Sequence, residues 1–106
     1  MINLIKQAMG LSSALNYADL KKREAMILDV RSSAEFMSGH HPQAKNIPLD
    51  EITSHIPALK QKGLPIITCC MSGARSGAAK RQLEAEGIEA YNGGNWSQLG
   101  KAYDQA

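Results

Sequence analysis

The chain has 106 residues, 43% hydrophobic and 21% charged, with 12 Lys and Arg against 10 Asp and Glu for a formal charge of +2. A chain of this length buries roughly two thirds of its unfolded surface on folding, enough for one core but not for two domains. The near balance of charge argues against nucleic acid or an acidic membrane surface as the main partner, and the ordinary apolar content argues against disorder.

The chain opens MINLIKQAMGLSS. Lys6 and Gln7 interrupt this stretch before a signal-peptide core can form, and nothing approaches the ~18 consecutive apolar residues of a membrane span. Residues 1–12 read as a short N-terminal extension, with Ile2, Leu4, Ile5 and Met9 on one amphipathic helical turn, ahead of a domain at 13–106. After a short stretch near Ser13 to Leu15, Asn16 is placed to cap a helix from Tyr17 to Arg23. Ala25 to Val30 is a continuous apolar run ending in an acid, as expected of a strand buried on both faces. Ser32 or Ser33 then caps a short helix containing Phe36 and Met37, which Gly39 ends.

Lys45 to Leu49 reads as a strand cut short by Pro48. From Asp50 a helix carries Ile52, Ile56 and Leu59 on one face, and Pro57 inside it predicts a kink or two short helices. Pro65 to Cys69 is the most strand-like segment. Met71-Ser72-Gly73-Ala74 follows, then a helix from about Arg75 to Glu86 with Ala78, Ala79 and Leu83 toward the sheet, stopped by Gly87. Ile88 to Tyr91 is the last strand expected, Gly93-Gly94 turn the chain, and Asn95 caps a helix to about Tyr103. The pattern predicts an α/β fold with about five short, mostly parallel strands and helices on both faces of the sheet.

The two cysteines, Cys69 and Cys70, are adjacent and cannot staple distant parts of the chain, so the pair points to a reducing, cytoplasmic setting and to thiol chemistry. They fall where a strand ends and a helix begins. Ligands in open α/β sheets sit beyond that end of the strands. A Ser- and Gly-rich loop there can turn successive amides inward, and a thiolate among them has its pKa lowered by the amides, the helix end and Arg75. Counting from Cys70 to Arg75 gives C-x4-R, a small ring suited to one extra sulfur on the thiol. Counting from Cys69 gives C-x5-R, the larger loop of cysteine phosphatases and arsenate reductases. Thr68 stands where such phosphatases usually have His, Cys69 is expected to point into the core, and Ser72-Gly73 suits the shorter loop; all three favour Cys70.

Cys70-Met71-Ser72-Gly73-Ala74-Arg75-Ser76, followed by Gly77-Ala78-Ala79, resembles the active-site loop of rhodanese-type sulfurtransferases. Ile27-Leu28-Asp29-Val30-Arg31 resembles that family's second strand. Glu35-Phe36, Gly39-His40, Ala44 and Asn46-Ile47-Pro48-Leu49 resemble its next signature, and Gly93-Gly94 its closing turn. The resemblance implies a five-stranded parallel sheet in a single domain, with no cofactor and no metal. It implies that Cys70 is the catalytic nucleophile, taking sulfur from thiosulfate or another sulfane-sulfur donor as a persulfide. A thiol, cyanide or protein-cysteine acceptor then removes it. Met71, Ser72, Gly73, Ala74, Arg75 and Ser76 form the substrate-binding loop, with Arg75 attracting the donor and the hydroxyls of Ser72 and Ser76 available to the sulfur. Asp29 and Arg31 brace the neighbouring strand ends. The alternatives are a phosphatase or arsenate reductase using Cys69, and a non-catalytic binding module of the same fold. His41 and Gln43 depart from the family pattern near His40, and adjacent His40 and His41 make a poor metal signal.

Overall fold

Parallel strands buried on both faces need apolar residues on both sides of the chain, and the segments around Ile27 and Ile67 supply them. In the computed structural model, which describes residues 15–106, β1 (Met26–Asp29), β2 (Lys45–Asn46), β3 (Ile66–Cys70) and β4 (Ala90–Asn95) form one parallel sheet in the order β2-β1-β3-β4. Four strands are present among the described residues where five were expected. The four strand segments read from the sequence are all found; of the stretch near Ser13 to Leu15, only Leu15 is described, and it lies in no strand. The extension at 1–12 and its helical turn lie outside the described residues.

The helices are α1 (Tyr17–Lys22), α2 (Ser33–Met37), α3 (Ile52–Lys62), α4 (Ala74–Ala85) and α5 (Trp96–Asp104), with a 3-10 turn at Leu49–Glu51 before α3. Alternation along each strand divides the core between two faces. Leu28, Val30, Ile66 and Cys70 pack against Ile52 and Leu59 of α3 and Ala79 and Leu83 of α4. Ile27, Ile67 and Cys69 pack against Leu20 of α1 and Leu99 and Tyr103 of α5. Helices therefore cover both faces. No helix among the described residues is long and apolar enough to cross a membrane.

Two local expectations are corrected. Of the kink or two short helices expected at Pro57, the two helices are not found: α3 is one helix through the proline, and Thr53, whose carbonyl loses its partner four residues ahead of it, is an exposed residue. Gly93 and Gly94 belong to β4 instead of a turn after it. A Cβ on Gly93 would stand 2.9 Å from both Ile67 Cγ2 and the Thr68 carbonyl, so glycine lets β4 lie this close to β3. Gly94 has φ 77°, and the pairing shifts register here so that Cys70 faces Asn95.

The strand order places a topological switch between β1 and β3, because the chain leaves β1 toward one edge and β3 toward the other. The connections after these two strands diverge and leave a crevice at their carboxyl ends. Into it come α2 from one side and the loop after Cys70 from the other.

Candidate active site

β3 delivers Cys70 to the crevice, and residues 71–73 turn the chain into α4 with Gly73 at φ 99°. The left-handed turn folds the loop back over the sulfur. Cys70 Sγ accepts the Gly73 amide at 3.0 Å and the Ser76 amide at 3.4 Å, and the Ser76 hydroxyl lies at 3.3 Å. Burial by itself raises the thiol pKa. The hydroxyl and amide of Ser76 and the amides of Gly73 and Ser72 outweigh it and bring the thiol below its ordinary value. Cys70 has no exposed surface, whereas Met71 beside it is half exposed.

Cys69 points to the other face, among Leu20, Ile27, Ile67, Leu99 and Tyr103. Burial, reinforced by the charge of Asp29, pushes its thiol up to about 12. The thiol on which the C-x5-R reading depends faces the opposite core cluster from Cys70. Backbone alternation also separates the two side chains, so the neighbouring cysteines do not face one another.

The site contains residues to which the sequence analysis gave no role. Glu35 of α2 holds Arg75 in a two-point pair, Arg75 Nη1 to Oε1 at 2.7 Å and Nη2 to Oε2 at 3.0 Å. Glu35 is fixed in turn by a capping box, accepting the Ser32 amide at 3.1 Å and the Ser32 hydroxyl at 3.0 Å on Oε1. Arg75, then the Ser32 amide, hold the Glu35 carboxyl down to about 2.

From β4, Asn92 donates to the Gly73 carbonyl at 3.0 Å and accepts the Ser76 hydroxyl at 2.7 Å and the Gly94 amide at 2.9 Å. Asn95 Nδ2 donates to the Met71 carbonyl at 2.8 Å, and its Oδ1 caps α5 through the Ser97 and Gln98 amides. The two asparagines hold loop carbonyls outward, which leaves the amides of Gly73 and Ser76 for the sulfur. Beneath them Thr68 donates its hydroxyl to the Ser76 carbonyl at 2.7 Å. Ser76 carries one hydroxyl proton, so at any moment it donates to Asn92 or to the sulfur.

Asp29 and Arg31 sit one strand away. Arg31 makes a buried pair with Asp29, Nη2 to Oδ2 at 2.7 Å, donates to the Gly39 carbonyl at 2.7 Å and lies over the Trp96 ring. They brace the turn after α2 and not the sulfur itself. His41 holds the end of α5, with Nε2 2.8 Å from Asp104 Oδ1 and Nδ1 accepting the Gln43 amide. His40 stacks on Phe36 and bonds its carbonyl. A cavity of about 620 Å³ among Lys21, Ala25, Met26, Gln43, Lys45 and Tyr103 opens at the opposite end of β1 and includes no residue of the Cys70 loop.

The family model described as a rhodanese-like domain matches residues 13–97. An uncharacterized protein of Bacillus subtilis is 35% identical over 71 residues, covering 66% of this chain and 56% of that protein. An uncharacterized Synechocystis protein is 36% identical over 72 residues, covering 66% of this chain and 39% of that protein. The chain thus spans about half the length of the curated relatives it matches. Among solved structures, a rhodanese-like domain protein from Staphylococcus aureus superposes with a TM-score of 0.65 at 30% identity, covering 79% of this chain and 86% of the other. A rhodanese with anions from E. coli gives 0.62 at 31% identity, covering 69% of this chain and 88% of the other.

Proposed function

We propose that this chain, which belongs to the rhodanese-like domain family, is a sulfurtransferase that carries sulfane sulfur as a persulfide on Cys70. The observation that carries the reading is the convergence on one sulfur of the Gly73 amide at 3.0 Å and the Ser76 amide at 3.4 Å, with the Ser76 hydroxyl oxygen 3.3 Å away and able to donate when its proton turns from Asn92. Such a set stabilises an anionic sulfur before transfer and the anionic persulfide after it. The Cys70 thiolate attacks the outer sulfur of the donor, forming one S–S bond as the donor's own S–S bond breaks. With thiosulfate the electron pair leaves with sulfite; with a persulfide it leaves with the donor thiolate. An acceptor thiol, cyanide or protein cysteine then attacks the outer sulfur and returns Cys70 as thiolate.

Cys70 is fully covered in the resting structure, so loading requires its sulfur to be uncovered. We assign the activity to residues 13–106, with 1–12 as an extension, and to a reducing cytoplasmic setting in which both free thiols persist. Intact mass spectrometry after treatment with thiosulfate or an organic persulfide tests the reading. The wild type and Cys69→Ser should gain one sulfur atom and Cys70→Ser none; capture that persists in Cys70→Ser, or a folded wild type that captures nothing, refutes it.

A further inference from the structure

Resting on the sulfurtransferase reading, we propose that Glu35 is a specificity-determining residue. Its two-point pair with Arg75 neutralises the one cation of the 70–76 loop and biases the site against dianionic sulfur donors and toward donors bearing a single negative charge. A dianion approaching a thiolate needs a countercharge, and the residue placed to supply it is Arg75. Both terminal nitrogens of Arg75 are already engaged, at 2.7 and 3.0 Å, in the fork-to-fork geometry that carboxylates hold most firmly. Glu35 cannot swing aside without giving up the two Ser32 bonds that cap α2. Its carboxylate stays ionised throughout the neutral range.

The other guanidinium at this end of the sheet is no freer, since Arg31 is buried against Asp29 and the Gly39 carbonyl. Arg81, exposed on α4 and outside the 70–76 loop, has its Nη1 3.7 Å from where a Cβ on Gly77 would stand. What the loop offers the reacting sulfur is therefore a ring of dipoles suited to one negative charge, with a neutralised ion pair beside it.

Thiosulfate and methanethiosulfonate separate charge from chemistry, because one O⁻ of the dianion is replaced by CH₃ in the monoanion. In both reactions Cys70 thiolate takes the outer sulfur as Cys70–S–S⁻. The electron pair of the broken S–S bond leaves with sulfite in one case and methanesulfinate in the other, with no proton or outside oxidant required. The test is the rate of sulfur gain on Cys70, read by intact mass at low ionic strength, for each donor with wild type and Glu35→Gln. Glutamine keeps an oxygen for Ser32 but carries no charge.

The thiosulfate-to-methanethiosulfonate rate ratio should rise about fivefold to tenfold in Glu35→Gln. In the wild type, thiosulfate loading should hold steady or quicken as salt is added, as between like charges. An unchanged ratio in a folded Glu35→Gln overturns the proposal, as does wild-type thiosulfate loading that slows steeply with salt. Should Glu35→Gln fail to fold, Arg75→Gln, which leaves the carboxylate bare, must move the ratio the opposite way, and the salt series needs no variant. Loading by both donors with a fixed ratio defeats this proposal alone; loading by neither defeats the sulfurtransferase reading beneath it.

Discussion

Cys69 and Cys70 are covalent neighbours in two regions that differ in chemistry although not in burial. Both side chains are closed to solvent and both touch an apolar cluster. On the α1 and α5 face, Cys69 meets hydrocarbon and the nearby charge of Asp29, and its thiol is pushed up to about 12. At the other face, Cys70 lies under a loop that turns amides toward it, and its thiol falls below the ordinary value. Depth alone therefore does not decide whether a cysteine is reactive; the hydrogen bonds that replace its lost water do.

The sharpest way to break this comparison is alkylation. Native protein treated with iodoacetamide and mapped by peptide mass should be modified at Cys70 faster than at Cys69 by about a hundredfold or more, because the thiolate is the nucleophile. The Cys70 rate should level off below the pH of an ordinary thiol. Comparable labelling of the two residues in the folded state would erase the distinction.

A smaller effect isolates the side-chain donor. Ser76→Ala removes the hydroxyl shared by Cys70 and Asn92 while leaving the Gly73 and Ser76 amides in place. The alkylation profile should move to higher pH and the sulfur-loading rate near neutrality should fall about threefold to tenfold, the worth of one such bond. A profile that does not move would leave the amides as sole support of the thiolate.

The smallest effect concerns the other face. Cys69→Ala should lower unfolding free energy by about 1–2 kcal/mol in urea titrations and leave sulfur capture unchanged. A thiol whose native pKa is raised stabilises the fold below its unfolded pKa and loses that contribution as pH climbs toward the native value. The wild type should therefore lose stability between about pH 8.5 and pH 12, and Cys69→Ala should flatten part of that loss.

What could be read from the chain alone follows from how far apart the cooperating residues lie. Cys70 to Ser76 is one contiguous strand–loop–helix passage, and the glycine and serines in it declare a turn that can present amides. The opposed orientation of Cys69 follows from alternation in a strand. Glu35 and Arg75 are 40 positions apart, and their pairing depends on how the connections after β1 and β3 converge. Asn92 was hidden for a different reason. A glycine pair usually marks a turn, but here it continues β4 along β3, where a Cβ on Gly93 would stand 2.9 Å from Ile67 Cγ2 and the Thr68 carbonyl. The count of five strands exceeded the four found among the described residues because the sequence offered four clear segments and one short unpatterned stretch. Pro57 suggested two short helices, whereas one helix continues through it with the exposed Thr53 four residues before it.

Asn95 ends β4, begins α5 and grips the Met71 carbonyl with the same side chain. The closing helix and the reactive loop thus share one fastening, so α5 cannot shift as a body without tugging the cover over the nucleophile. Replacing the amide nitrogen by oxygen, as in Asn95→Asp, would keep the helix seated and cut that mechanical link.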